Sequence, residues 1–173
     1  SVMSLYPPEA YAFQDLKVIN QVYEGLMRFE PENLQPNLGL ANSYSISEDG
    51  LTYTFYLRSN ARVHDNVCFE DGLGRNVTAN DVKICYERLS VASSENTNNW
   101  IFGESVVGAA ELHEASEFGD NSVQHITGIK ALNDSVLEFS LKQKCHDFLH
   151  RLALPATSIY PPEAVGYYGK GLN

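Results

Sequence analysis

An α+β fold, with antiparallel hairpins covered by helices, is what this chain predicts, and three observations predict it. Two segments, "YSISEDGLTYTFYLR" and "ITGIKALNDSVLEFSLK", alternate apolar and polar residues around a turn. A third, "TANDVKICYERLS", opens on a helix-capping pattern and repeats apolar residues every three or four positions. Helix and hairpin signals then follow in the order helix, hairpin, helix, helix, hairpin, helix, which places helices over one face of an antiparallel sheet.

The first element is read between Asp15 and Phe29, where Leu16, Ile19, Tyr23 and Leu26 share one helical face and Gly25 is available as a stop. The Pro- and Asn-rich "EPENLQPNLG" is a loop. In the first hairpin Asp49-Gly50 supplies the turn. Leu51, Tyr53, Phe55 and Leu57 take one face, and Thr52, Thr54, Tyr56 and Arg58 take the other. Residues 60–76 are irregular. The helix from Thr78 has Thr78 as N-cap with Asp81 three later, and Val82, Cys85, Tyr86 and Leu89 as its buried stripe. A polar loop holding the sole tryptophan follows. Glu104–Phe118 reads as helix interrupted by Gly108. The second hairpin turns at Asn133-Asp134 and buries Leu137, Phe139 and Leu141. "DFLHRLAL" is a short helix stopped by Pro155.

"SLYPPEA" at Ser4–Ala10 and "SIYPPEA" at Ser158–Ala164 differ in one letter. Proline fixes φ and extends the residue before it, so each copy reads as an extended run swinging into a helix or turn. Repeat architectures need self-similarity over roughly 20–50 residues. Seven residues are one local solution used twice.

The composition is that of an ordinary folded protein, 43% hydrophobic and 20% charged, with length for one domain and a proper core. A net charge of −10 repels phosphate backbones, so nucleic acid is not an expected partner. No apolar run is long enough to span a membrane, and no basic–apolar leader opens the chain. The start falls in mid-pattern, which leads us to expect a processed or trimmed N-terminus. Three cysteines, Cys68, Cys85 and Cys145, lack metal-type spacing and are expected as isolated thiols. The sequons at Asn76 and Asn133 fit turns on composition alone.

Chemistry-bearing motifs are few. "HDFLH" places His146 and His150 four apart, as a zinc hydrolase of the H-E-x-x-H type would. Its Asp147 is one methylene short for the general base, and no third ligand is marked. The plainer reading has Asp147 capping the helix, with no metal and no cofactor. "VHD" at Val63–Asp65 lacks a nucleophile and reads as a hydrogen-bonded turn. Glu95, Glu104, Glu111, Glu114 and Glu117 read as a solvated face. Trp100, flanked by amides, is either a ligand platform or a plug for the local core. Chemistry alone points to a binder rather than an enzyme.

Four segments in order carry a resemblance: "QVYEGLMRFEPENLQPNLGLANSYSISEDGLTYTFYLRSNARVHD", "GRNVTANDVKICYERL", "ITGIKALNDSVLEFSL" and "DFLHRLALPATSIYPPEAVGYYG". Together they resemble the family 5 extracellular solute-binding proteins of ABC importers, which bind oligopeptides, dipeptides and nickel complexes. Two features depart from the family pattern: Tyr44 stands where a Trp is usual, and "HDNVCFEDGLGRNVT" is stretched by an insertion containing Cys68. The resemblance implies the N-terminal portion of a two-lobed, type II-like periplasmic binding protein, with the opposite lobe outside this chain. It implies residues 1–35 at the edge of a main lobe, 36–157 as an accessory α+β subdomain, and 158–173 returning to the main lobe. Both "YPPEA" copies would then pass the same edge. By matching position it implies solute contacts at Tyr11, Phe13, Asn99, Trp100, Thr157 and Ser158. The plainer roles are core packing for Tyr11 and Phe13 and turn hydrogen bonds for Thr157 and Ser158. The implied partners are a small peptide or related solute and an ABC permease, outside the cytoplasmic membrane, with any membrane contact through an N-terminal lipid anchor. The alternative is the solute-sensing domain of a regulator.

Overall fold

Alternation of side chains across two turns builds the centre of the molecule. The computed structural model describes residues 6–9 and 23–168. β3 (Ala41–Ile46) and β4 (Thr52–Leu57) form the first hairpin. β5 (Ile129–Asn133) and β6 (Val136–Ser140) form the second. They join through β4 and β6 into one antiparallel sheet of order β3-β4-β6-β5, with Phe55 opposite Leu137 and Tyr53 opposite Phe139. The first turn uses Gly50 at φ 72°, a conformation open to glycine because it has no Cβ, and Asp49 Oδ1 accepts the Leu51 amide at 2.9 Å. In the second, Asn133 Oδ1 accepts the Ser135 amide at 2.9 Å. A separate two-stranded piece pairs β1 (Met27–Phe29) with β2 (Pro36–Leu38).

One sheet face is covered by α1 (Ala79–Ser90), which packs on β5 and β6. Its start is the predicted capping box. Thr78 Oγ1 accepts the Asp81 amide at 3.2 Å, and Asp81 Oδ2 accepts the Thr78 amide at 2.8 Å. The predicted stripe of Val82, Cys85, Tyr86 and Leu89 is buried, as are Phe55, Leu137 and Phe139 opposite it. Short helix α2 (Trp100–Gly103) and helix α3 (Ala109–Glu117) extend the cover. Phe139 is the hub, with ring centroids of Phe55, Tyr86, Phe102 and Phe148 between 5.2 and 6.2 Å away. α4 (Phe148–Arg151) and a 3₁₀ turn at Pro155–Thr157 lead into α5 (Pro162–Tyr168).

Three expectations change. The helix read over Asp15–Phe29 lies outside the described residues up to residue 22, and its last three residues are strand β1. Pairing with β2, which no local periodicity announces, decides that segment. The Glu104–Phe118 helix starts only after Gly108, whose φ of 85° breaks the helical path. Before it, Val106 bridges Leu141, and the Val107 amide donates to the Ser140 carbonyl at 3.0 Å. Finally, "DFLHRLAL" stays helical for four residues. The Asp147 carboxylate accepts from Arg151 Nε and the Cys145 thiol, with no side-chain bond to the helix end it was expected to cap.

Candidate functional site

The two "YPPEA" copies meet. Pro7–Glu9 forms a 3₁₀ turn, and in the second copy the chain passes from extended Ser158 to α5, opened by Pro162; Ser4 and Leu5 of the first copy lie outside the described residues. The rings of Tyr6 and Tyr160 stand edge to face with centroids 5.5 Å apart. Tyr23 approaches Tyr160 at 6.3 Å, and the Ile159 amide donates to the Glu24 carbonyl at 2.9 Å. The mid-chain loop reaches the same edge, where Asn98 Nδ2 donates to the Pro8 carbonyl at 2.9 Å. The turn at Pro155–Thr157 packs against Pro7–Glu9. Three segments far apart in sequence thus share one edge.

Asn99 precedes α2 and its amide lies 3.1 Å from His113 Nε2, while His113 Nδ1 lies 3.0 Å from the Ser90 carbonyl. Trp100 is 52% exposed and is stacked by Arg151. Thr157 is fully buried, its hydroxyl within reach of the Arg151 and Leu154 carbonyls at 3.0 and 2.8 Å, a turn-locking geometry. Ser158 is buried and lines an open cleft of about 900 Å³. Tyr11 and Phe13 lie outside the described residues. Four of the six predicted contacts are therefore described; Trp100 joins Thr157 through Arg151, Asn99 bonds to His113, and Ser158 lines the cleft.

The cleft runs between β1, the 62–69 loop and the returning chain, with Tyr23, Arg28, Arg62, Ser158 and Tyr168 among its walls. Its 62–69 wall is fixed by polar bonds. Asp65 Oδ1 accepts the Gly74 amide at 2.7 Å, Arg62 donates to the Gly74 carbonyl, and Asn66 Oδ1 accepts from Tyr168 Oη at 2.8 Å. The "VHD" segment is hydrogen-bonded as expected, the Val63 amide donating to the Arg75 carbonyl at 2.9 Å, but it is irregular chain rather than a turn. Behind it Arg75 binds two carboxylates, Asp81 at 2.6 and 2.8 Å and Glu163 at 2.7 and 2.9 Å. This fork ties the start of α1 to α5. Burial pushes the Asp81 carboxyl upward, but its bonds to Arg75 and Thr78 override that and leave it below the usual range. Bonds to Arg75 hold Glu163 low as well, against its burial.

No thiol is set up as a nucleophile. All three cysteines are unbridged. Burial pushes the Cys85 thiol up to about 12, and that thiol donates to the Tyr160 carbonyl at 3.2 Å. Burial and then the Asp147 carboxylate push Cys145 up to about 11, and burial and then Glu163 raise Cys68. His146 precedes α4 while His150 lies within it, so the pair does not share a helical face. Among the described residues no group of three or more His, Cys, Asp or Glu is arranged to hold a metal ion.

Sequence reasoning missed Arg151 and Arg75. Asp147 and Arg151 do stand at i and i+4, a spacing that announces an ion pair. Nothing local announces that Arg75 pairs with Glu163, 88 positions on.

Residues 35–171 match the family described as bacterial extracellular solute-binding proteins, family 5, middle region. The glutathione-binding protein GsiB of Escherichia coli O1:K1 / APEC is 29% identical over 170 residues, covering 98% of this chain and 27% of that protein. The dipeptide-binding protein of Escherichia coli K12 is 30% identical over 142 residues, 82% of this chain and 24% of that protein. The chain thus spans about a quarter of the length of these curated relatives. The crystal structure of a periplasmic oligopeptide-binding protein from Borrelia burgdorferi superposes with a TM-score of 0.80 at 26% identity, over 96% of this chain and 31% of that one.

Proposed function

The chain belongs to the family 5 bacterial extracellular solute-binding proteins, and on that premise we propose that it captures small peptides outside the cytoplasmic membrane for delivery to an ABC import permease. The work is done as part of a two-lobed protein. Residues 1–35 and 158–173 are the portions in the main lobe, and 36–157 form the accessory subdomain. The observation that carries the reading is the shared edge, where Pro7–Glu9, Asn98–Trp100 and Pro155–Ser158 come together beside an open cleft. Peptides are held mainly through backbone hydrogen bonds, with tolerant contacts to side chains. Tyr11, Phe13, Asn99, Trp100, Thr157 and Ser158 are this chain's share of the site. Trp100 offers exposed aromatic area, and Ser158 lines the cleft. Thr157 contributes through the turn it locks. The groups that clamp the charged ends of a peptide belong to the opposite lobe. Closure of the lobes on solute, favoured by contacts made only in the closed form, gives the state that docks on the permease. The protein does no chemistry. It resides in the periplasm or an equivalent extracytoplasmic space, and a lipid anchor at its N-terminus keeps it at the membrane.

Calorimetry tests this with the full-length parent and with the 173-residue chain, titrated with dipeptides, tetra-alanine, nickel complexes and zinc. The parent binds peptide, and the chain alone binds it at least a hundredfold more weakly, the loss of roughly 2.7 kcal/mol or more. Tight zinc binding by the chain, abolished in His146→Ala, would overturn the transport reading in favour of a metal site.

A further inference from the structure

We infer that Arg151 is a positioning residue: it presets the indole of Trp100 as a stacking platform for flat, uncharged groups of the solute, such as peptide planes and aromatic rings. The inference rests on the reading of Trp100 as a solute contact. The Arg151 guanidinium lies 5.6 Å from the ring centroid, within cation–π range. It is held from several directions. Nε donates to Asp147 Oδ2 at 3.0 Å, and a terminal nitrogen donates to the Ile101 and Trp100 carbonyls at 3.0 and 3.4 Å. Asp147 is itself steadied by the Cys145 thiol, which donates to it at 3.1 Å. The carbonyl of Arg151 accepts the Thr157 hydroxyl at 3.0 Å, which links the same residue to the returning chain.

Exposure separates the two partners. The Arg151 side chain is 19% exposed, whereas Trp100 keeps about half its surface, 52%, in solvent. A large aromatic at the start of a four-residue helix would ordinarily exchange rotamers freely. Here the guanidinium bonds fix the backbone under it and the stack fixes the ring. The indole then meets a ligand with little side-chain entropy left to lose. The ring's negative face is already engaged by a cation, so a second cation gains less there than a peptide plane or another ring.

The sole tryptophan of the chain gives a direct readout. Arg151→Met keeps the aliphatic stem and removes the charged fork. In the 173-residue chain it is expected to raise the acrylamide quenching constant of the emission about twofold or more and to lower its anisotropy, with the far-ultraviolet circular dichroism unchanged. Arg151→Lys recovers part of both. Asp147→Asn leaves Arg151 in place with a weaker anchor, moves both readouts the same way by less, and decides the matter if Arg151→Met does not fold. Quenching and anisotropy equal to wild type in the folded variants would overturn the inference. In the full-length parent, tetra-alanine titrations separate this from the parent reading. Trp100→Ala is expected to lose about tenfold in affinity and Arg151→Met about threefold, the scale of one aromatic contact. A loss in Trp100→Ala with full affinity in Arg151→Met overturns the positioning role and leaves the contact standing. Full affinity in Trp100→Ala overturns both.

Discussion

Phe139 sits fully buried on β6 and touches four aromatic rings drawn from β4, α1, α2 and α4. Its burial was readable from alternation with Leu137 and Leu141 alone, because one face of a half-buried strand must be apolar. Its partners were not readable, since all four arrive from other elements. Removing the ring leaves a cavity that rigid neighbours cannot refill, so Phe139→Ala is expected to cost about 3–5 kcal/mol. Guanidinium unfolding checks this, and a loss under 1 kcal/mol would show that the aromatic cluster collapses around the gap. Trp100 presents the opposite case. Its flanking amides marked it as a platform or a plug, and only the folded chain shows it half exposed.

Elements whose boundaries are written in short-range chemistry came through closely. Both hairpins keep the faces expected of them, the second turning at Asp134-Ser135, one position past the expected Asn133-Asp134, and Thr78 caps α1 with both arms of its capping box made. Thr78→Ala removes one arm and is expected to cost about 1 kcal/mol, measured as a shift in denaturant midpoint at constant slope. Elements decided by their pairing partners rather than by their own periodicity or composition did not come through. Met27–Phe29 continues an apolar spacing that suits a helix, yet pairs with Pro36–Leu38 as strand. Asp147 has the composition of a cap and answers instead to Arg151 and Cys145. The candidate site follows the same rule. Its residues were suggested one by one through a family resemblance, whereas the edge they share depends on contacts such as Asn98 to Pro8, 90 positions apart.

At the scale of the whole molecule, Arg75 makes stability depend on acid. Asp81 and Glu163 both titrate below their ordinary values in the fold. A carboxylate with a lowered folded pKa stabilises above its unfolded pKa, near 4, and that contribution is lost as pH falls through the folded value. Stability is therefore expected to hold from neutral pH to about 5 and to decline below about 4. Arg75→Met is expected to cost about 1 kcal/mol at pH 7, given partial exposure, with the difference from wild type vanishing near pH 2. Urea midpoints at several pH values test this; a gap that persists in strong acid would mean that Arg75 acts through packing alone. The Tyr6–Tyr160 ring contact has a kinetic consequence. It closes a loop of about 150 residues, an entropic toll on the order of 4–5 kcal/mol if the chain between were still slack. The hairpins and α1, built from near neighbours, shorten that slack first. The paired tyrosines are therefore expected to act as a clasp fastened late on an already folded body. Tyr6→Ala should speed unfolding and leave the folding rate unchanged in stopped-flow traces, and slowed folding would overturn this.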